Sequence, residues 1–216
     1  MNNDILSQDM QIQIIKLGIN KVISHYDSLI DDNNDPTRDP EPLKEHMDKW
    51  DGQAFIDELQ LLPSKDVLEI GVGTGRLALK VCGKCKSFTG IDISPKTIER
   101  AKDNLSAYSN VKLICSNFMD HSFDKQFDII YSSLTFMHIE DKLAAINKVA
   151  GLLKPNGRFI LSIDKNQSVY IEFGDRKIRI YPDKPDKVCE HIIAAKLVLE
   201  KQFETEFAVV FVARKV

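Results

Sequence analysis

Three glycines at alternate positions, Gly71, Gly73 and Gly75, follow the apolar run "DVLEIG", and two acids flank them. Glu69 precedes the first glycine by two residues, and Asp92 closes the next apolar run, "SFTGID". Glycine at this density leaves backbone bare for close approach of a ligand or a neighbouring strand. A phosphate loop needs Gly-Lys-Ser/Thr at its end so that lysine reaches the outer phosphates, whereas Gly75 is followed by Arg76-Leu77. A dinucleotide fingerprint places its third glycine three positions after the second, and here the interval is two. Glu69 would repel a pyrophosphate and attract a positive charge. Asp92, at a strand end in an open parallel sheet, can take both hydroxyls of a ribose. The expected ligand is an adenosine-type molecule with a cationic arm. The competing readings are a ligand-free strand-to-helix turn at the glycines and a simple helix cap at Asp92.

The elements that must position these residues are legible from periodicity. Short apolar runs ("DVLEIG", "SFTGID", "VKLICS", "FDIIYSS", "GRFILSI") alternate with helical patterns at 75–84, 95–107 and 140–153. That rhythm predicts an α/β fold with a doubly wound, mostly parallel sheet. Ser94 is placed to cap a helix with Pro95 in its first position. Pro155 should stop a helix, with Asn156-Gly157 turning into the next strand. Upstream, Ile12, Ile15, Ile19, Val22 or Ile23 and Tyr26 recur at helical spacing over 8–26, a proline- and acid-rich loop covers Asp31–Pro42, and a second helical pattern runs over Leu43–Leu62, weakened at Gly52 and closed by Pro63. Downstream, "VYIEFGDRKIRIYP" reads as a hairpin turning at Gly174-Asp175, with Ile171, Phe173, Ile178 and Ile180 forming one buried face. After a helix near 185–195, two closely joined runs predict an antiparallel C-terminal strand pair and a seven-stranded sheet in all.

The glycine loop and its surroundings resemble the class I S-adenosylmethionine-dependent methyltransferase family. "VLEIGVGTGRLA" is similar to the first motif of that family, "GIDIS" matches the ribose-binding acid, "FDIIYSSLTFMHIED" resembles the fourth-strand motif, and "LLKPNGRFILS" the passage into the fifth strand. The resemblance covers about residues 60–163. It implies S-adenosyl-L-methionine as cofactor, held by Glu69, Gly71, Gly73, Thr74, Gly75, Asp92, Ile93, Asn117, Phe118 and Ser133. Asn117 departs from the pattern, because the family commonly has an acid there against the adenine amino group. Asn can accept from that group, without charge assistance. Residues 1–60 are expected to form a helical cap on a core of 61–216, with the hairpin at about 168–181 as an addition, and such additions in this family commonly cover the substrate.

Methyl transfer from a sulfonium is an in-line displacement on an activated carbon, so alignment is the main demand on the protein. A base is needed only when the acceptor must lose a proton. His138, after the fourth strand, is the candidate base, and ordering of its loop is the alternative. Tyr26 and Trp50 are candidates to close over the substrate, with core packing as the alternative. "CGKC" at Cys82–Cys85 has metal-ligand spacing and no second pair to complete four ligands, so no metal is expected. Four cysteines in 216 residues, with Cys115 in a strand that reads as buried, suit a reducing cytoplasm. The net charge of −3 carries no basic block, and no apolar window is long enough for a membrane span. The expected partner is a small-molecule methyl acceptor, with neither nucleic acid nor membrane. A non-catalytic protein binding S-adenosylmethionine for regulation is the alternative, and an NAD-dependent dehydrogenase is a weaker one.

Overall fold

The computed structural model describes residues 8–216. Alternation of apolar strands and amphipathic helices produces a seven-stranded sheet of β1 (Asp66–Ile70), β2 (Ser87–Asp92), β3 (Val111–Cys115), β4 (Phe127–Ser133), β5 (Leu153–Asp164), β8 (Leu197–Glu204) and β9 (Ala208–Lys215). Their spatial order is β3-β2-β1-β4-β5-β9-β8. β9 pairs antiparallel with both β5 and β8, and the other pairings are parallel. The chain reverses direction across the sheet between β1 and β4, which leaves a crevice at their carboxyl ends.

Central strands present apolar side chains to both faces, as burial beneath two helical layers requires. One face, with Leu68, Ile130, Phe159 and Phe211, packs on α6 (Lys142–Leu152) and α7 (Pro185–Ala194) through Ile146, Val149, Val188 and Ile192. The other, with Val67, Phe88, Ile129, Tyr131 and Val212, packs on α3 (Gly52–Glu58), α4 (Ala78–Val81) and α5 (Pro95–Asn104) through Phe55, Ala78, Val81 and Ile98. α5 begins where expected: the Ser94 side chain accepts from Thr97 N–H and Pro95 follows. Asp141 caps α6 in the same way through Ala144 N–H.

α1 (Gln8–Asp31) lies against α5 and against the hairpin strand β7 (Arg176–Arg179). Ile19, Val22 and Ile23 are half-buried, while the side chains of Ile12 and Ile15 fall outside the described residues. The Asp31–Pro42 segment is irregular as expected, and it is anchored. Asp35 is buried, accepts from Thr37 N–H and Oγ1, and faces Arg100 and Asn104 of α5.

Several boundaries differ from expectation for local reasons. The Leu43–Leu62 pattern is two helices, α2 (Glu41–Met47) and α3, because Asp51 (φ −138°) and Gly52 (φ 65°) leave helical geometry between them. The expected helix over 75–84 contracts to α4 and a 3₁₀ turn at Cys82–Lys84, since Gly71, Gly73 and Gly75 all take positive φ upstream. Pro155 does not stop a helix before a turn: β5 already begins at Leu153, and Asn156 (φ 61°) and Gly157 form a bulge where the β4–β5 register shifts. A Cβ at Gly157 would stand 2.8 Å from the Lys154 carbonyl oxygen, so the bulge requires glycine. Cys115 is exposed, because β3 is the sheet edge and Cys115 is its last residue.

The hairpin forms as β6 (Tyr170–Phe173) and β7 (Arg176–Arg179) around Gly174, φ 57°. Its buried face is shorter than expected. Ile178 and Ile180 are buried and Ile171 half-buried, but Phe173 stays exposed at the turn, its ring beneath the Arg176 guanidinium.

Candidate active site

The glycine loop leaves the end of β1, where its three glycines have different reasons to lack a side chain. A Cβ on Gly71 would stand 1.8 Å from Thr135 Oγ1, so that position serves the close pass of the segment after β4. At Gly75 the added carbon would press on Leu105 at 3.2 Å. At Gly73 nothing lies within 4 Å. Its φ of 55° sets the backbone bare toward open space, as close approach by a ligand demands.

Gly73 N–H donates to Asp92 Oδ2 and Ser94 N–H to Asp92 Oδ1, both at 3.0 Å. The carboxylate is thereby locked beside the loop, and each oxygen keeps a lone pair for a vicinal diol. Burial raises the Asp92 pKa against the pull of those N–H donors. Glu69, at the end of β1, is buried and accepts from the Tyr131 hydroxyl at 2.8 Å. Burial, helped by Asp51 and Asp92, pushes it up to about 8 against the opposing influence of Tyr131 and Arg76. The loop therefore holds two acids whose charge is not repaid from within the protein, a fit for a ligand with a diol and a cationic arm.

The remaining expected cofactor residues divide by what their side chains touch. Ile93 is half-buried beside Asp92. Ser133 Oγ donates to Asp51 Oδ2 at 2.9 Å, and the Thr74 hydroxyl is buried with no partner among the described residues. Asn117 spends its side chain locally: Oδ1 accepts from Met119 N–H and Nδ2 donates to Asp120. Phe118 turns its ring into the core beneath Lys148.

Sequence reasoning missed Asp51. Its carboxylate is fully buried, bonded to the Arg76 guanidinium, Ser133 Oγ and Gly52 N–H, and so ties the start of α3 to the loop and to β4. Asp48 shares Arg76 and also pairs with Lys80. "WDG" signals a helix cap in sequence, but nothing in it points to an arginine at position 76.

Tyr26 and Trp50 both reach a cavity of about 360 Å³ beyond the ends of β4 and β5, which Leu134, Asp164, Tyr170 and Asp183 also line. Leu134 has φ 57°, an uncommon conformation for leucine that directs the chain sharply from β4 along the cavity. Tyr26 Oη lies 2.7 Å from His138 Nε2. Burial, with Asp92 nearby, raises the tyrosine pKa, and burial, with Lys142 and His25 nearby, lowers His138 to about 4. The histidine is therefore neutral at physiological pH, shares a hydrogen bond with the phenol, and has no partner for Nδ1 among the described residues. Trp50 Nε1 donates to Asp164 Oδ2 at 3.1 Å. Cys82 and Cys85 are buried and free, their thiols pushed up to about 12 and 11 by burial. Among the described residues no His, Cys, Asp or Glu cluster is arranged for a metal, and no helix is long and apolar enough to cross a membrane.

Comparison with known proteins agrees with this geometry. Residues 68–161 match the family model described as a methyltransferase domain. A malonyl-[acyl-carrier protein] O-methyltransferase of Priestia megaterium is 36% identical over 98 residues, 44% of this chain and 35% of that protein. The chain spans 33% to 62% of the length of curated relatives such as this one. Among solved structures, the DhpI complex with S-adenosylhomocysteine superposes with a TM-score of 0.73 at 18% identity, covering 92% of this chain and 96% of that one. The N-methyltransferase NodS of Bradyrhizobium japonicum WM9 gives 0.67 at 16% identity, covering 92% and 98%. Residues 68–161 thus match a methyltransferase domain, and the β3-β2-β1-β4-β5-β9-β8 sheet with the glycine loop at its crevice shares its fold with these solved structures.

Proposed function

We propose that this protein transfers a methyl group from S-adenosylmethionine to a small molecule held in the cavity beyond β4 and β5. The observation that carries the reading is the adjacency of two compartments. The open backbone of Gly73 and the Asp92 carboxylate form one, and a cavity of about 360 Å³ forms the other. Ser133 and Leu134 join them along the chain, and Tyr26, which lines the cavity, lies close enough to Asp92 for that charge to raise its pKa.

The cofactor supplies an activated methyl group on a sulfonium. The chain supplies position and exclusion of water. Asp92 takes the ribose, Glu69 offers its charge to the amino-acid arm, and the backbone at Gly73 permits contact distance. Tyr26 and Trp50 cover the acceptor, α1 being held in place where Asp27 accepts from Ser94 Oγ at 2.6 Å. In this arrangement His138 holds Tyr26 in one rotamer, because its Nε2 is engaged and its low pKa makes it a poor proton acceptor. Alignment of this kind can supply up to roughly 7–11 kcal/mol of the barrier.

Calorimetric titration with S-adenosylhomocysteine tests the cofactor half. The wild type should bind, and Asp92→Ala should bind about tenfold or more weakly, the loss expected for a charged hydrogen-bonding group. Undiminished binding by the variant would refute the assignment. Transfer of a labelled methyl group to a metabolite pool tests the catalytic half.

A further inference from the structure

The charge around the acceptor cavity is uneven. Of the acids that line it, Asp183 is paired with Lys142 at 3.1 Å and Glu172 with Lys177 at 2.6 Å. Asp164 has no cation among the described residues. Its two oxygens accept from neutral donors, Trp50 Nε1 at 3.1 Å and Asn166 N–H at 2.7 Å, neither of which carries a charge. The adjacent Lys165 turns away to Glu204 and the Thr205 carbonyl. Aromatic rings of Tyr26, Trp50 and Tyr170 complete the wall, and among the described residues no Lys or Arg lines the cavity.

A carboxylate without a cationic partner, beside aromatic faces in a partly enclosed cavity, selects for a positive or N–H-bearing ligand and against an anion. Resting on the methyl-transfer reading above, we infer that the acceptor group is an amine and that Asp164 is the residue that selects it. An acid or phosphate acceptor would meet the same carboxylate as a like charge. An acceptor bound as the ammonium first gives one proton to water, and the neutral nitrogen then donates a remaining N–H to Asp164 and keeps its lone pair for attack. As that pair forms the nitrogen–carbon bond, the carbon–sulfur pair leaves on sulfur and the positive charge passes to nitrogen. The proton that nitrogen then carries stays paired with Asp164 and goes to water as the product leaves.

Trp50 is the only tryptophan in the chain and donates to Asp164, so its fluorescence reports occupancy without turnover. The experiment uses the full chain saturated with S-adenosylhomocysteine, titrated separately with phenethylamine, phenethyl alcohol and phenylacetate. Saturable quenching or enhancement by the amine, at about tenfold lower concentration than by the other two, is the expected result. Asp164→Asn and Asp164→Ala should each erase that preference while S-adenosylhomocysteine affinity stays within about twofold, which also shows that the variants fold. With the cofactor product bound, absence of saturation by the amine, an equal or tighter response to the alcohol or acid, or a preference surviving both substitutions overturns the inference and leaves methyl transfer standing. Failure of the wild type to bind S-adenosylhomocysteine sinks the underlying reading, and this inference with it.

Discussion

Single residues at the glycine loop owe their chemistry to what lies beside them. Glu69 is a carboxyl kept largely protonated at neutral pH, its only side-chain hydrogen bond among the described residues coming from Tyr131. A bound ammonium group lowers a carboxyl pKa, so cofactor binding should expel the Glu69 proton whenever the free protein still holds it. Affinity for S-adenosylhomocysteine should therefore rise as pH climbs from about 6 and level off above about 8, with a slope approaching tenfold per pH unit on the acid side. Titrations across that range check the expectation, and Glu69→Gln should flatten the profile. A pH-independent wild type would contradict it. The glycine loop and Asp92 were readable in sequence because spacing alone excludes a phosphate. Asn117 and Phe118 were harder to read, since whether a side chain faces the crevice or the core depends on the turn at Asn117–Asp120.

At the scale of elements, the short helices α2 and α3 carry the join between the N-terminal region and the sheet. Asp51 caps α3 and meets Arg76, which is itself only 14% exposed. Removing one member of a buried ion pair leaves the other charge unpaid. Asp51→Ala should cost about 3 kcal/mol of stability, at the lower end for such a pair because Asp48 still faces Arg76. Denaturant unfolding is the check, and a loss below about 1 kcal/mol would show that the pair carries little. Asp51→Asn should lose less, since the amide oxygen can still accept from Arg76. Sequence periodicity showed helix over Leu43–Leu62 with a weak point at Gly52, and it did not resolve two separate helices, because the cap at Asp51 and the positive φ of Gly52 leave no mark on apolar spacing. The hairpin was visible through Gly174-Asp175, whereas the exposure of Phe173 depends on where the body ends beneath it.

Across the whole molecule, the two ends of the sheet treat carboxylates oppositely. At the amino ends, Asp66 and Asp128 share Lys154 at 2.8 and 2.7 Å, and these contacts hold both acids below their ordinary values despite burial. At the carboxyl ends, Glu69 and Asp92 are raised. The first set is neutralised within the fold, and the second is left to the ligand. The lowered acids add stability that disappears as pH falls through their folded pKa values. His138, moved from 6.5 to about 4, adds a loss at milder acidity, because the unfolded chain takes up a proton there that the folded chain refuses. His25 is lowered in the same direction by burial and Arg176. Between pH 7 and about 4.5 the wild type should therefore lose up to about 3 kcal/mol more than His138→Gln, or roughly 6–12 °C of melting temperature. Parallel melting curves for the two proteins would reject this were they to shift equally.

The sequence by itself determined the strand–helix alternation, the helix start at Ser94-Pro95, and the demand for a diol-binding acid and a cation at the loop. Each follows from side-chain type at short range: apolar period, cap chemistry, and glycine spacing against charge. Tertiary structure decided the rest. Asp51 and Arg76 meet across 25 residues, Tyr26 and His138 across 112, and Trp50 and Asp164 across 114. The cavity beyond β4 and β5, with a carboxylate that has no cation partner among the described residues, arises from chain crossings of that length, whose partners local pattern does not encode.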